Sequence, residues 1–248
     1  MNRPTRAISV LLCVIMMLPL VSCGDAEPSF VFEPIDTKSA ETASPVSEIV
    51  PVDPASAMSE KIDDAAVRSA NYSVSKTVFD VLFNYVIIKQ LAPGDGDFDE
   101  YDHYFASGLL DPLGSVQGQK LPGSDTYWLS DAVSKTLVIV CEALHYFEFA
   151  AHRGIPAFSR VNAKKVEREM TRIRDKEYGG TIEELFGDVT EDDVYLAVIL
   201  KTIYDDPSAI SVYFDYDTFP RTQCSYAQPL SPSLSGGVRL AADFFQQK

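Results

Sequence analysis

The chain has 248 residues, 46% of them hydrophobic, with 36 acidic residues against 21 Lys and Arg and a formal net charge of −15. This length holds one domain, or two small ones, able to bury a core, and an 11% aromatic content supplies apolar surface to offset ordering entropy. An acidic surface repels phosphate backbones and anionic lipid, which excludes nucleic acid as a partner and electrostatic docking to a membrane.

Residues 1–22 read as a signal peptide. Arg3 and Arg6 give a positive start, and the apolar run 7–20 is too short to span a bilayer comfortably. The run ends in Leu20-Val21-Ser22-Cys23, followed by Gly24 and Asp25. This ending resembles the bacterial lipoprotein box. The resemblance implies that the Cys23 thiol is acylated and the preceding peptide removed, with acyl chains contributing about 0.8 kcal/mol per buried CH₂. Loss of Arg3 and Arg6 leaves 36 acids against 19 bases, a net charge of −17. The expectation is export, with the folded part outside the cytoplasm and the lipid on Cys23 as the only tie to the membrane. Further along, the run 81–92 is too short to span, and 136–151 is interrupted by Glu142, His145 and Glu148.

Residues 23–60 read as the lipidated cysteine and a tether. Pro28, Pro34, Pro45, Pro51 and Pro54 are scattered among Ser and Thr with no helical or strand period. This predicts a disordered, proline-stiffened spacer reaching on the order of 30 Å as a coil.

Residues 61–206 read as a mainly α domain. A short strand is expected within 65–74, and Ser75 then caps a helix over 76–91, with Val78, Val81, Leu82, Tyr85, Ile88 and Leu91 at helical spacing. A loop follows from 92 to 123. In it Asp95, Asp97 and Asp99 are spaced like a calcium loop, but Glu100 stands where Gly is needed and Ala106 where Glu is needed, so it reads as a solvated acidic loop. Ser124 or Asp125 caps a long helix to Arg153, closed by Gly154. Apolar residues cover so much of its girth that it is expected to be the central helix.

Asn162 is the expected cap of a surface helix over 163–178, stopped by Gly179-Gly180, with Val166, Met170 and Ile173 inward. The basic residues Lys164, Lys165, Arg168, Arg172, Arg174 and Lys176 are interleaved with acids and read as a solvated face. Thr181-Ile182-Glu183-Glu184 is a capping box opening a short helix to Phe186. Thr190 caps a helix from 191 to about 204 with Val194, Val198 and Ile199 inward. Residues 207–248 read as a divergent extension, with a strand over 210–214, a loop over 217–237 and a last short helix after Gly236-Gly237.

With Cys13 in the signal and Cys23 lipidated, Cys141 and Cys224 remain in the folded part. An oxidising compartment permits a disulfide between them, whereas the apolar surroundings of Cys141 favour a small core thiol. The second reading is preferred and the first stays open. Glu142 and His145 share one helix face, but a di-iron site needs a second such pair and further carboxylates, and His103 and His152 do not supply them. No metal or cofactor is therefore expected. Ser73-Val74-Ser75-Lys76 resembles the Ser-x-x-Lys of penicillin-recognising enzymes, yet their Ser-Asp-Asn and Lys-Thr-Gly are missing. No catalytic residue is expected.

Three stretches carry a wider resemblance. Asn71-Tyr72-Ser73-Val74-Ser75 enters a helix holding Phe79, Phe83 and Tyr85. Tyr127-Trp128 opens the long helix that closes on Ala150-Ala151-His152-Arg153-Gly154-Ile155. Thr181 to Gly187 is followed by the second capped start, Val189 to Val194. Together they resemble the N-terminal peptide-binding region of SurA-type and PrsA-type foldases, related to the trigger-factor C-terminal domain, as found in lipoproteins of clostridia and their relatives. The resemblance implies a SurA N-terminal-like helical domain and a chaperone-like role, holding unfolded or exported polypeptides on a surface that includes Phe79, Phe83, Tyr146 and Phe149. Foldases of this kind carry a parvulin domain of roughly a hundred residues. Only 42 residues follow Asp206, with no histidine among them, so no isomerase activity is expected. The alternative is a non-catalytic structural or interaction lipoprotein on the same scaffold.

Overall fold

The computed structural model describes residues 54–59, 62–92, 104, 107–111, 118–206 and 222–246, and all of these fall within one unit, Ile49–Lys248. The expected signal peptide, Cys23, most of the tether, His103, the acidic loop with Asp95, Asp97 and Asp99, and the expected strand at 210–214 lie outside the described residues. What is described is mostly helical, with one small sheet.

The C-terminal end of the expected tether is structured. Helix α1 (Pro54–Ser59) places Met58, only 2% exposed, in the hydrophobic core. A methionine can fill an irregular gap at the margin of a core, which anchors the start of the domain there.

The single strand expected within 65–74 is instead a hairpin. Strands β1 (Ala65–Arg68) and β2 (Ser73–Ser75) pair antiparallel, with Val67 opposite Val74 and Arg68 opposite Ser73. Ser69 closes the turn by donating its N–H to the Tyr72 carbonyl at 2.8 Å. Ser75 ends β2 and caps the next helix at once, its hydroxyl accepting from the Val78 N–H at 3.1 Å. Helix α2 (Lys76–Leu91) is buried at every position from Val81 to Ile88, more than a one-sided stripe would give. It is a core helix.

Helix α3 (Trp128–Arg153) begins two or three residues later than expected. Ser124 and Asp125 do not cap it, because both are used in a tight turn: the Ser124 hydroxyl accepts from the Thr126 N–H at 3.0 Å, and Asp125 pairs with Lys120 at 2.9 Å. The Trp128 N–H donates to the Gln119 carbonyl at 3.1 Å, and the N-cap residue, Tyr127, makes no side-chain cap bond. The C-terminus is as expected, with Gly154 at φ 64° and the Ile155 N–H returning to the Ala150 carbonyl at 3.0 Å.

Helix α4 (Arg160–Arg174) is capped by Ser159, whose hydroxyl accepts from the Asn162 N–H at 3.2 Å; Asn162 itself lies in the first turn, buried. Val166, Met170 and Ile173 form its inner stripe as expected. Its charged face is self-neutralising: Arg174 reaches Glu167 at 3.0 Å and Glu191 at 2.5 Å, and Arg172 reaches Glu177 at 2.8 Å. The helix stops at Arg174, before Gly179-Gly180. Those glycines serve a close approach instead, since a Cβ on Gly180 would lie 2.5 Å from the Leu240 side chain.

Helix α5 (Ile182–Phe186) carries the complete capping box between Thr181 and Glu184, and helix α6 (Glu191–Asp205) carries a second between Thr190 and Asp193. Val194 and the run Ala197 to Leu200 are fully buried. Helix α6 packs against α2, α3 and α4. The centre of the domain is therefore α6 with α2, and the longest helix, α3, is not the middle one. The reason is visible along α3: it is buried from Ala143 to Ala150, but Ser130, Ser134 and Val138 face solvent.

The C-terminal segment completes this core. Strand β3 (Ser225–Tyr226) adds to the free edge of β1, giving the order β2-β1-β3, and helix α7 (Gly236–Gln246) packs on α2 and α5 with Val238 and Ala241 buried.

Candidate functional site

The four aromatic residues expected to form a client surface do not lie on a surface. Phe79, Phe83 and Phe149 are at most 1% exposed and Tyr146 is 8% exposed. They are consumed by the core because α2 and the second half of α3 are buried nearly all round. The correction is to their role: they hold the fold together.

The open apolar feature lies elsewhere. A cleft of about 740 Å³ separates the first half of α3 from the segment 230–234, with Leu129 and Val133 on one wall and Leu230 and Leu234 on the other. Leu129 and Val133 are one helical turn apart and share a face. Ser130, Ser231 and Ser233 interleave hydroxyls with these apolar side chains.

The segment wall is held from beneath by Asn84, which is 4% exposed. Its amide nitrogen donates to the Ser233 carbonyl at 3.0 Å and to the Asp80 carbonyl at 2.8 Å, and its oxygen accepts from the Ser235 N–H at 2.8 Å. The Ser235 hydroxyl donates to the Leu185 carbonyl at 2.6 Å. The reading of the sequence missed Asn84. Its signal is there, an amide in the middle of an otherwise apolar helix, and a buried amide must find partners.

Polar residues of α3 face other chain segments. Glu148, 6% exposed, accepts from the Ser69 hydroxyl at 2.6 Å, the Asn71 N–H at 2.7 Å and the Asn71 amide at 2.6 Å. It thereby ties the hairpin turn to α3, beside the Tyr72 and Phe147 rings at 5.5 Å. His145 accepts at Nδ1 from the Thr222 N–H at 3.1 Å and lies 2.9 Å from the Thr222 hydroxyl. His152 is exposed, and among the described residues no group of three or more His, Cys, Asp or Glu could hold a metal ion. Lys76 of the Ser-x-x-Lys pattern pairs with Asp64 at 2.6 Å, and Ser73 is buried in β2.

Burial pushes the His145 pKa down, with the Glu148 charge opposing in part. A lowered folded pKa means that the unfolded chain binds the proton more readily. The stability from neutral His145 is therefore present above about pH 6.5 and lost as pH falls from there toward the lowered value. Asp80 acts in the opposite sense, because burial raises its carboxyl against the pull of Lys76. Thermal unfolding followed between about pH 7.5 and 5 is expected to show Tm falling with pH, and His145→Gln, which can still accept from Thr222, is expected to flatten that slope. A slope unchanged by His145→Gln would show that the imidazole is not its source.

No family model, curated protein or solved structure matches the chain.

Proposed function

We propose that this chain is a lipid-anchored, extracytoplasmic polypeptide-binding protein of the chaperone kind, acting without isomerase or other catalytic chemistry. The observation that carries the reading is the cleft between α3 and the segment 230–234. Its leucines and valine offer contact to apolar side chains of an extended chain, and its serines offer hydrogen bonds to that chain's backbone. Such a site accepts many sequences, because area and backbone contacts carry the affinity.

The experiment is suppression of aggregation of a chemically denatured test protein, without ATP, at near-stoichiometric ratio. The wild-type protein is expected to suppress it. Leu129→Ser combined with Leu230→Ser, with Tm held within about 3 °C, is expected to lose most of that effect. A folded wild-type protein that suppresses nothing removes this reading. The anchor is tested separately: Cys23→Ser is expected to move the protein out of the detergent phase on phase partitioning. Among the described residues no helix is long and apolar enough to cross a membrane.

One observation favours a second reading, a non-catalytic interaction lipoprotein. Among the described residues, the exposed large hydrophobic side chains, Leu109, Tyr127, Val138, Val161 and Tyr226, come from separate stretches of the chain, and the aromatic residues of α2 and α3 are inside. Holding a whole unfolded chain calls for a contiguous apolar patch of more than a few hundred Å². Absence of suppression with an intact fold selects this second reading.

A further inference from the structure

Cys141 and Cys224 are both half-buried, and neither is in a disulfide. A simple register brings them together. His145 lies one turn beyond Cys141, and residues four apart share a helix face about 6 Å apart. Thr222 precedes Cys224 by two residues, and residues two apart in extended chain share a face about 6.6 Å apart. The Thr222 N–H and hydroxyl sit on His145 Nδ1, at 3.1 and 2.9 Å. With the segment running antiparallel to the helix, these matching spacings set Cys224 against Cys141, and the Cys141 thiol donates a hydrogen bond to Cys224.

We propose that Cys141 and Cys224 are a redox pair, which closes by exchange with a disulfide-bearing oxidant and so pins the segment entering β3 to α3. In the first step the Cys224 thiolate attacks one sulfur of the donor disulfide. That S–S bond breaks, a mixed disulfide forms, and one half of the donor leaves as a thiolate that takes up a proton. In the second step Cys141, giving its proton to the other half of the donor, attacks the Cys224 sulfur and expels that half as a thiol. Two protein thiols are oxidised to one disulfide, and one donor disulfide is reduced to two thiols. Cys224 is the first nucleophile because the hydrogen bond from Cys141 lowers its pKa, outweighing burial and the Glu148 charge, which raise it. The compartment expected from Cys23 is one where such a pair closes, but the chemistry does not depend on that reading or on the cleft.

The test uses the purified full chain, reduced and then treated with oxidised glutathione. Proteolytic fragments are expected to show Cys141 linked to Cys224 with the loss of two hydrogens, and Tm is expected to rise by roughly 5–10 °C over the reduced protein. Cys141→Ser is expected to accumulate a stable glutathione adduct on Cys224, because the resolving thiol is gone. Cys224→Ser is expected to slow the reaction of Cys141 by about tenfold. If a folded chain keeps both thiols open to alkylation after treatment, or ends with a glutathione adduct on each, the proposal is overturned.

Discussion

Gly237→Ala is expected to destabilise the protein by about 3 kcal/mol, lowering Tm by roughly 6–12 °C. A Cβ at this position would stand 2.0 Å from the Leu185 carbonyl oxygen and 2.3 Å from its Cα. Both are backbone atoms of α5, so no side-chain rotation can relieve the clash. Helix α7 would have to withdraw from α5, taking Val238 and Ala241 out of the core they share with α2. Gly236→Ala is the control, since nothing lies within 4 Å of its Cβ position, and its effect is expected to stay within about 0.5 kcal/mol. Thermal unfolding of the two variants side by side checks the geometry. Equal Tm values would show that α7 does not approach α5 this closely.

Glu148→Ala is expected to cost about 3–4 kcal/mol. The carboxylate gathers three donors on one turn, the Ser69 hydroxyl and the two nitrogens of Asn71. Removing it takes from these part-buried donors the acceptor they share. Glu148→Gln keeps one acceptor oxygen, and the Asn71 amide can reverse to meet the new NH₂, so about half of the loss is expected to return. Denaturant titration of the three proteins gives the values. A cost for Glu148→Ala under about 1 kcal/mol would mean that water replaces the carboxylate and that apolar packing and strand pairing hold the hairpin.

The helix starts at Ser75, Thr181 and Thr190 are all legible in the sequence, and so is the stop at Gly154. Each is written in a few adjacent residues, because a cap bond spans three residues and a left-handed C-terminal turn needs only its own glycine. The inner stripe of α4 is legible for the same reason. Two helix starts fall elsewhere than at the side chains that suggest them. Ser159 rather than Asn162 opens α4, and Ser124 serves a turn while a backbone carbonyl meets Trp128.

The site was less legible than the fold. A helical period marks Phe79, Phe83, Tyr146 and Phe149 as apolar, but it cannot say whether another helix covers them. The covering elements, α6 and α7, come much later in the chain. The same distance hides the partners of the polar residues on α3: Glu148 looks like an interruption of an apolar run until the hairpin turn, 77 to 79 residues earlier, folds onto it.

By itself, then, the sequence determined a mainly helical chain, the ends of several helices, and a large excess of acidic residues. These follow from bonds and charges acting over a turn or two of chain. Only the tertiary structure decided that α6 and α2 occupy the centre, that β3 joins the hairpin, that Asn84 clamps one wall of a cleft, and that Cys141 meets Cys224. Each of those contacts joins residues far apart in sequence, and their meeting depends on how whole helices pack, which no local pattern encodes.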